Sequence, residues 1–329
     1  MKAIYLCENK QNISYVYGLR ERQRLADYAQ ETVYSLAEAA ASPEARQAEV
    51  IFSTWGMPRL TEEEISQIFP RLRAVFYAAG SVQHFAAPLL NRNVAVFSAW
   101  QANAVPVAEY TVAQMELAAK GYFRVQALCR ENRREAAQAA GGYPGMYEIK
   151  IGLLGLGAVA RQVAERLRGY ECTVLACDPY VSPRVFEKTG VIPATMEEIF
   201  RECLIVSNHL PNLPATCGAI TREMLFSMGE GATFINTGRG PQLYEADLYD
   251  LLQERPGITA LLDVLTDDAD SDANPLNRLP NCFITPHIAG SMGNEVHRMA
   301  RYMVDEFLRW QAGEQPKWQV TAEMLATMA

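Results

Sequence analysis

What the chain has little of is the first guide to it. Of 329 residues only 4 are histidine and 7 are cysteine. The cysteines (7, 129, 172, 177, 203, 217 and 282) are scattered, odd in number and never at CxxC spacing. That excludes a disulfide framework and a cysteine zinc site, and it suits a reducing compartment. No uncharged apolar run reaches the roughly 20 residues that span a bilayer. The longest candidate, "IGLLGLGAVA", is bracketed by Lys150 and Arg161. The run before Glu8 in "MKAIYLCENK" is too short for a secretory h-region. Positive charge is in deficit as well, with 30 Lys and Arg against 38 Asp and Glu and a net charge of −8. No basic stripe for nucleic acid is expected from that balance. Internal repeats and low-complexity segments are missing; the only local bias is the acidic loop "TDDADSDANP" at 266–275. A cytoplasmic protein without metal, membrane or nucleic-acid partners is expected.

What is present is an ordinary globular composition, 49% apolar and 21% charged, in a length that suits two domains. In the first hundred residues "KAIYLC", "AEVIFSTW", "LRAVFYAAG" and "VAVFSA" read as strands. "TEEEISQIF" reads as a helix because Thr61 and Glu64 have capping-box spacing. A long helical stretch from Val105 follows and ends at the breaker "GGYPG" (141–145). Its apolar first half suits packing or a dimer contact. Six further strands are expected at "IKIGLLGLG", "CTVLACD", "LIVSNH", "ATFINTG", "ITALLDVL" and "CFITPH", followed by a helix to about Gly313. Strand–helix alternation on this scale predicts parallel βαβ units.

Gly155, Gly157 and Ala160 make GxGxxA directly after an apolar strand and at the start of a helical pattern. Gly155 permits the tight turn, Gly157 lets the backbone approach a pyrophosphate, and Ala160 allows close strand–helix packing. Unpaired N–H groups and the positive end of the helix dipole then face the phosphates. The next strand ends in Asp178, about 20 residues on, where an acid can bind the ribose 2′-hydroxyl and repel a 2′-phosphate. NAD is therefore favoured over NADP, although Arg184 stands only six residues further on.

Ligands of doubly wound sheets sit beyond the carboxyl ends of strands. There the chain places His209, Leu210 and Pro211, then Arg239, then Asp263 with the acidic loop, then His287. The ordered stretches "ANAVPVAEYTVAQMELA", "GLLGLGAVARQVAERL", "CDPY", "NHLPNLPATCGAI", "FINTGRGPQLYEADL", "LLDV" and "ITPHIAGS" resemble the D-isomer-specific 2-hydroxyacid dehydrogenase family, which includes phosphoglycerate dehydrogenases and hydroxypyruvate reductases. The resemblance implies an α/β protein of two doubly wound domains. A Rossmann NAD-binding domain (104–289) is inserted into a flavodoxin-like substrate-binding domain (1–103 and 290–329). It also implies a homodimer and a site between domains that closes over a small 2-oxo acid.

Residue by residue, the resemblance makes Arg239 the ligand of the substrate carboxylate and keto oxygen, a task that suits a planar guanidinium fork. It makes His287 the proton donor, a role that imidazole side chains commonly fill near neutral pH. The family's third catalytic residue is a glutamate five positions after the Asp of the L-D-V motif. Counting from Asp263 gives Asp268, with neighbouring Asp267 an alternative. Ala79, Gly80 and Ser81 match the backbone turn that meets the substrate carboxylate, and Asn103 the asparagine at the domain hinge. Thr111, Gly155, Gly157, Ala158, Val159, Asp178, His209, Leu210, Pro211, Thr216, Thr237, Gly238, Asp263 and Gly290 match positions along the cofactor. Trp55 and Trp100 serve either the substrate pocket or packing. The implied activity is NAD-dependent reduction of a 2-oxo acid to a D-2-hydroxy acid. The alternative is an NAD(H)-sensing regulator of the same fold. Formate oxidation fits less well, because that branch pairs its histidine with a glutamine.

Overall fold

The computed structural model of the chain describes residues 1–267 and 271–328. Among these the strands are, in chain order, β1 (Ala3–Leu6), β2 (Ala29–Tyr34), β3 (Val50–Ser53), β4 (Ala74–Tyr77), β5 (Ala95–Ser98), β6 (Lys150–Leu154), β7 (Thr173–Cys177), β8 (Ile192–Pro193), β9 (Ile205–Asn208), β10 (Thr233–Asn236), β11 (Thr259–Leu262), β12 (Cys282–Ile284) and β13 (Gln319–Val320). They form two sheets in two units. The first unit is Met1–Asn103 with the segment from Ser291 onward, and the second is Ala104–Gly290.

In the first unit the order is β13-β5-β4-β3-β1-β2, parallel except for β13, which runs antiparallel to β5. Strands β1, β3 and β4 are buried along their whole length, so apolar residues face both sides. Alternation then divides them between two cores. Tyr5, Phe52 and Phe76 lie in one, and Leu6, Ile51 and Val75 in the other. Met299, Met303 and Phe307 of the helix Val296–Gln311 complete the first core. There Phe76 stacks on Phe97 with ring centroids 4.5 Å apart, and Phe307 meets Phe76 edge-on at 5.5 Å.

In the second unit the order is β12-β11-β10-β9-β6-β7-β8, parallel throughout. Chain order reverses between β6 and β9, and at such a switch point the strand ends open a crevice. The helix Met196–Glu202 lies close on β6, because a Cβ at Gly152 would stand 2.2 Å from Ile199 Cγ2.

One expectation needs correction, and the structure adds to two others. The stretch after Val105 is not one helix but three, Trp100–Ala119, Tyr122–Glu131 and Arg133–Ala140. Gly121 breaks it with a φ of +66°, its missing side chain leaving room for the Tyr143 ring. Asn132 breaks it again by capping the next helix through Arg134 and Glu135 N–H. Strands β2, β8 and β13 had no sequence signal: β2 carries Gln30, Glu31 and Thr32, and the other two are two residues long. Trp100 packs edge-on to Trp318 at 5.9 Å, whereas Trp55 stays exposed. No helix among the described residues is long and apolar enough to cross a membrane.

Candidate active site

The glycine loop links β6 to the helix Ala158–Leu167. Gly155 has a φ of +88°, and a Cβ there would stand 2.9 Å from the His209 carbonyl oxygen, so only glycine fits without strain. Gly157 is exposed, with nothing within 4 Å of a would-be Cβ. It caps the helix through no side chain, so the first N–H groups, with Ala158 and Val159 half-buried beside them, are free for a ligand. Ala160 is buried against the sheet. Asp178, at the end of β7, accepts from Leu156 N–H at 2.8 Å and Tyr180 N–H at 2.9 Å. These contacts hold its carboxylate against the glycine loop with lone pairs to spare. Open room, unpaired donors and a fixed carboxylate are what a dinucleotide needs.

A buried amide network ties together the ends of β9 and β10. Asn208 Nδ2 donates to Asn236 Oδ1 (2.9 Å) and Gln242 Oε1 (2.5 Å). Gln242 Nε2 donates to the carbonyls of Leu210 (2.8 Å) and Pro211 (2.9 Å), while its oxygen accepts from Arg239 N–H (3.0 Å). Asn236 donates to the Arg239 carbonyl and accepts from Gly238 N–H. The loops carrying Leu210 and Arg239 are therefore registered by three neutral side chains with satisfied partners. Gly238 and Gly240 let this happen: a Cβ on either would stand 2.9 Å from Gln242 Oε1 or 2.1 Å from the Leu265 carbonyl carbon. Arg239 Nη1 donates to the Gly238 carbonyl at 2.7 Å. Thr237 Oγ1 lies 3.4 Å from Thr111 Oγ1, and Thr111 is fully buried. Thr216 spends its hydroxyl on Pro211 and Leu213, closing the turn 211–216. His209 bonds Ser207 at 2.9 Å, and burial pushes its imidazole down to about 4, so it stays neutral at pH 7.

His287 follows β12 and is exposed, with a φ of +55°, a region that β-carbons disfavour. The residue is held there by Asp263, buried at the end of β11. The Asp263 carboxylate accepts from Ile288 N–H and Ala289 N–H, both at 2.8 Å, and from Thr285 Oγ1 at 2.6 Å. Its backbone carbonyl accepts from His287 N–H at 3.0 Å. Tyr110 Oη lies 2.9 Å from Thr285 Oγ1 and extends the chain. Every bond in this clamp lies within the second unit, next to Gly290. Asp268 lies outside the described residues.

In the first unit the turn after β4 holds Ala79, Gly80 and Ser81. Ser98 donates to the carbonyls of Ala79 (2.9 Å) and Gly80 (2.6 Å). The Gly80 and Ser81 N–H groups donate to no acceptor among the described residues. Asn103 accepts from Ser291 N–H at 3.0 Å.

The structure thus brings Arg239, Asp263 and His287 onto the strand ends that also carry the glycine loop. Sequence reasoning missed Tyr110, Asn208, Gln242 and Thr285. The available signal was an amide or hydroxyl closing or following a buried apolar strand, where an unpaired polar group is costly.

Residues 112–289 match the family model described as D-isomer specific 2-hydroxyacid dehydrogenase, NAD binding domain. A D-3-phosphoglycerate dehydrogenase of Archaeoglobus fulgidus is 31% identical over 203 residues, 61% of this chain and 38% of that protein. One of Methanocaldococcus jannaschii is 29% identical over 66% of this chain and 41% of its own length. The chain thus spans about two fifths of the curated relatives it matches. A phosphoglycerate oxidoreductase from Rhizobium etli superposes with a TM-score of 0.81 at 19% identity, covering 98% of this chain and 99% of that one. The NAD-complexed D-isomer specific 2-hydroxyacid dehydrogenase of Lactobacillus delbrueckii gives 0.77 at 19%, covering 98% and 100%. At such identities the likeness is one of fold.

Proposed function

The chain belongs to the D-isomer specific 2-hydroxyacid dehydrogenases, with an NAD-binding domain over 112–289, and from that premise we propose that it reduces a 2-oxo acid to the D-2-hydroxy acid, reversibly, with NADH. The bound nicotinamide supplies or takes up the hydride. The remaining work falls to the chain. The Gly155–Val159 loop would hold the pyrophosphate and Asp178 the ribose, with 209–211, Thr216, Thr237, Gly238, Thr111 and Gly290 lying along the cofactor. Arg239 would bind the carboxylate and polarise the carbonyl, whose oxygen gains negative charge as the reaction proceeds. Ala79, Gly80, Ser81 and Asn103 would bind the carboxylate end as well. His287 would give the alkoxide its proton, and Asp268 would steady the imidazolium.

The single observation that carries this reading is the Asp263 clamp. It spends three hydrogen bonds from one buried carboxylate on keeping an exposed histidine in a disfavoured backbone conformation. Strain of that kind, of order 1–3 kcal/mol, persists where the surroundings over-determine it, and it collects at active sites. The test is NADH oxidation with a panel of 2-oxo acids, read as kcat/KM. Tight NADH binding without turnover on any of them would favour the regulator. The free cysteines suit a cytoplasmic setting, and the partly exposed helices of 100–140 suit a homodimer contact.

A further inference from the structure

A second concave site lies wholly within the first unit, and its case does not depend on the reading above. A cleft of about 490 Å³ opens where Gly18–Glu21 faces the segment from Asn294 to Arg301. In a chain of net charge −8 this cleft is lined by three guanidinium groups, Arg20, Arg298 and Arg301. Two arginines nearby on the same helices are paired, Arg24 with Asp305 at 2.7 Å and Arg309 with Glu306 at 2.7 Å, while Arg22 makes no ion pair among the described residues. The three in the cleft make no ion pair among the described residues. Arg298 Nη1 is buried with no hydrogen-bonding partner among the described residues, a state that costs about 1–3 kcal/mol. The helix Val296–Gln311 begins here without a side-chain cap, but its N-cap residue, Glu295, also lines the cleft and offsets the positive end, so the arginines supply the net positive field.

The cleft is not purely cationic. Glu21, only 6% exposed, lines it without being paired to any of these arginines. Asn294 adds an amide. His297 spends Nδ1 on the Val16 carbonyl at 3.1 Å and keeps Nε2 for another partner. Guanidinium forks suit a phosphate, and a buried carboxylate, an amide and an imidazole suit hydroxyl groups. Leu19 is the only apolar side chain of the lining, which suits a polar, hydroxyl-bearing ligand. The volume lies in the range of small-molecule sites, about 300–1,000 Å³, and is far more than a bare phosphate fills. We propose that this cleft binds a phosphorylated polyhydroxy compound of sugar-phosphate size, with Arg298 and Arg301 on the phosphate and Glu21 and Asn294 on the hydroxyls.

The test is calorimetric titration of the full chain with glucose 6-phosphate, inorganic phosphate and glucose. Saturable binding is expected for glucose 6-phosphate, weaker binding for phosphate, and none for glucose. Arg298→Gln and the exposed Arg301→Gln should each weaken glucose 6-phosphate by about tenfold or more, roughly the worth of one charge-assisted bond. Both variants should keep the NADH affinity and circular dichroism of the parent. No saturable binding of glucose 6-phosphate, or binding that survives both substitutions, overturns the site. Phosphate binding as tightly as its ester overturns the hydroxyl half of the proposal.

Discussion

The two sheets follow one winding rule yet finish their strands in different ways. In the first unit, short hydroxyl side chains close the strand ends on their own backbone. Ser53 donates to the Leu6 carbonyl, Thr54 to Ala78, and Ser98 to Ala79 and Gly80. In the second unit the strand ends carry longer groups, Asn208, Asn236 and Asp263, which reach across to neighbouring loops. One edge closes its hydroxyl groups on nearby carbonyls and leaves the Gly80 and Ser81 N–H groups over; the other fixes loops that carry an arginine and a histidine. The difference teaches that wound sheets gain chemistry from what bridges their loops. Substitutions should therefore hurt turnover at the second edge and mainly stability at the first.

The largest effects should come from Arg239→Ala and His287→Ala. Each is expected to lower kcat/KM by about 10³-fold or more, with NADH affinity by fluorescence titration nearly unchanged. Normal turnover in both would end the proposed mechanism. Next comes Asp263→Asn, in which an amide N–H would face backbone N–H donors. Displacing His287 by a fraction of its own width should cost about 10²-fold in kcat. A positioning role further predicts that the pH profile of kcat/KM changes, while KM for NADH moves less. Gly155→Ala should raise the NADH dissociation constant by about tenfold or more and lower Tm, because a φ of +88° and the His209 carbonyl both resist a Cβ.

His209 sharpens the comparison from the side of stability. Its folded pKa, about 4, lies below the ordinary 6.5. The unfolded chain therefore takes up the proton first as pH falls. The contribution of this group is complete above pH 6.5 and is lost as pH drops from there to about 4, at up to about 1.4 kcal/mol per pH unit. Denaturant midpoints for His209→Asn should be flatter than the parent's across that window. An equal slope would show that other groups dominate. The smallest effect on turnover should come from Ser98→Ala, which strips the Gly80 carbonyl of its donor and leaves the Ala79 carbonyl only Ala99 N–H, and should cost about 1–3 kcal/mol of stability with kcat changed less than threefold or so. A loss of turnover matching Asp263→Asn would erase the distinction between the edges.

How much of this could be read from the residues follows from what each element spends on its core. Strands such as β3, β4, β9 and β10 announce themselves because both faces are apolar. Strand β2 does not, since it lies at the sheet edge and is polar over Gln30–Thr32. The break at Gly121 was hidden because its cause, the Tyr143 ring, lies across a chain reversal. In the site, the glycine loop and the Arg239 and His287 positions were legible as spacing. The Asp263 clamp was not, because two of its three donors are backbone N–H groups, which every sequence has. Asp268 lies outside the described residues, so its pairing with His287 rests on the family resemblance. A fall of about tenfold or more in kcat for Asp268→Asn, larger than for Asp267→Asn, would sharpen it.

The first unit is discontinuous, and this sets an order of events during synthesis. Its aromatic core is finished by Met299, Met303 and Phe307, and its outer strand β13 lies further on still. A ribosome adding about 5–20 residues each second delivers these only tens of seconds after Asn103. Through that interval the faces of Phe52 and Phe76 await a lid made last, while the whole of Ala104–Gly290 is already available to fold. The nascent first unit is thus the stage at which a chaperone has most to shield.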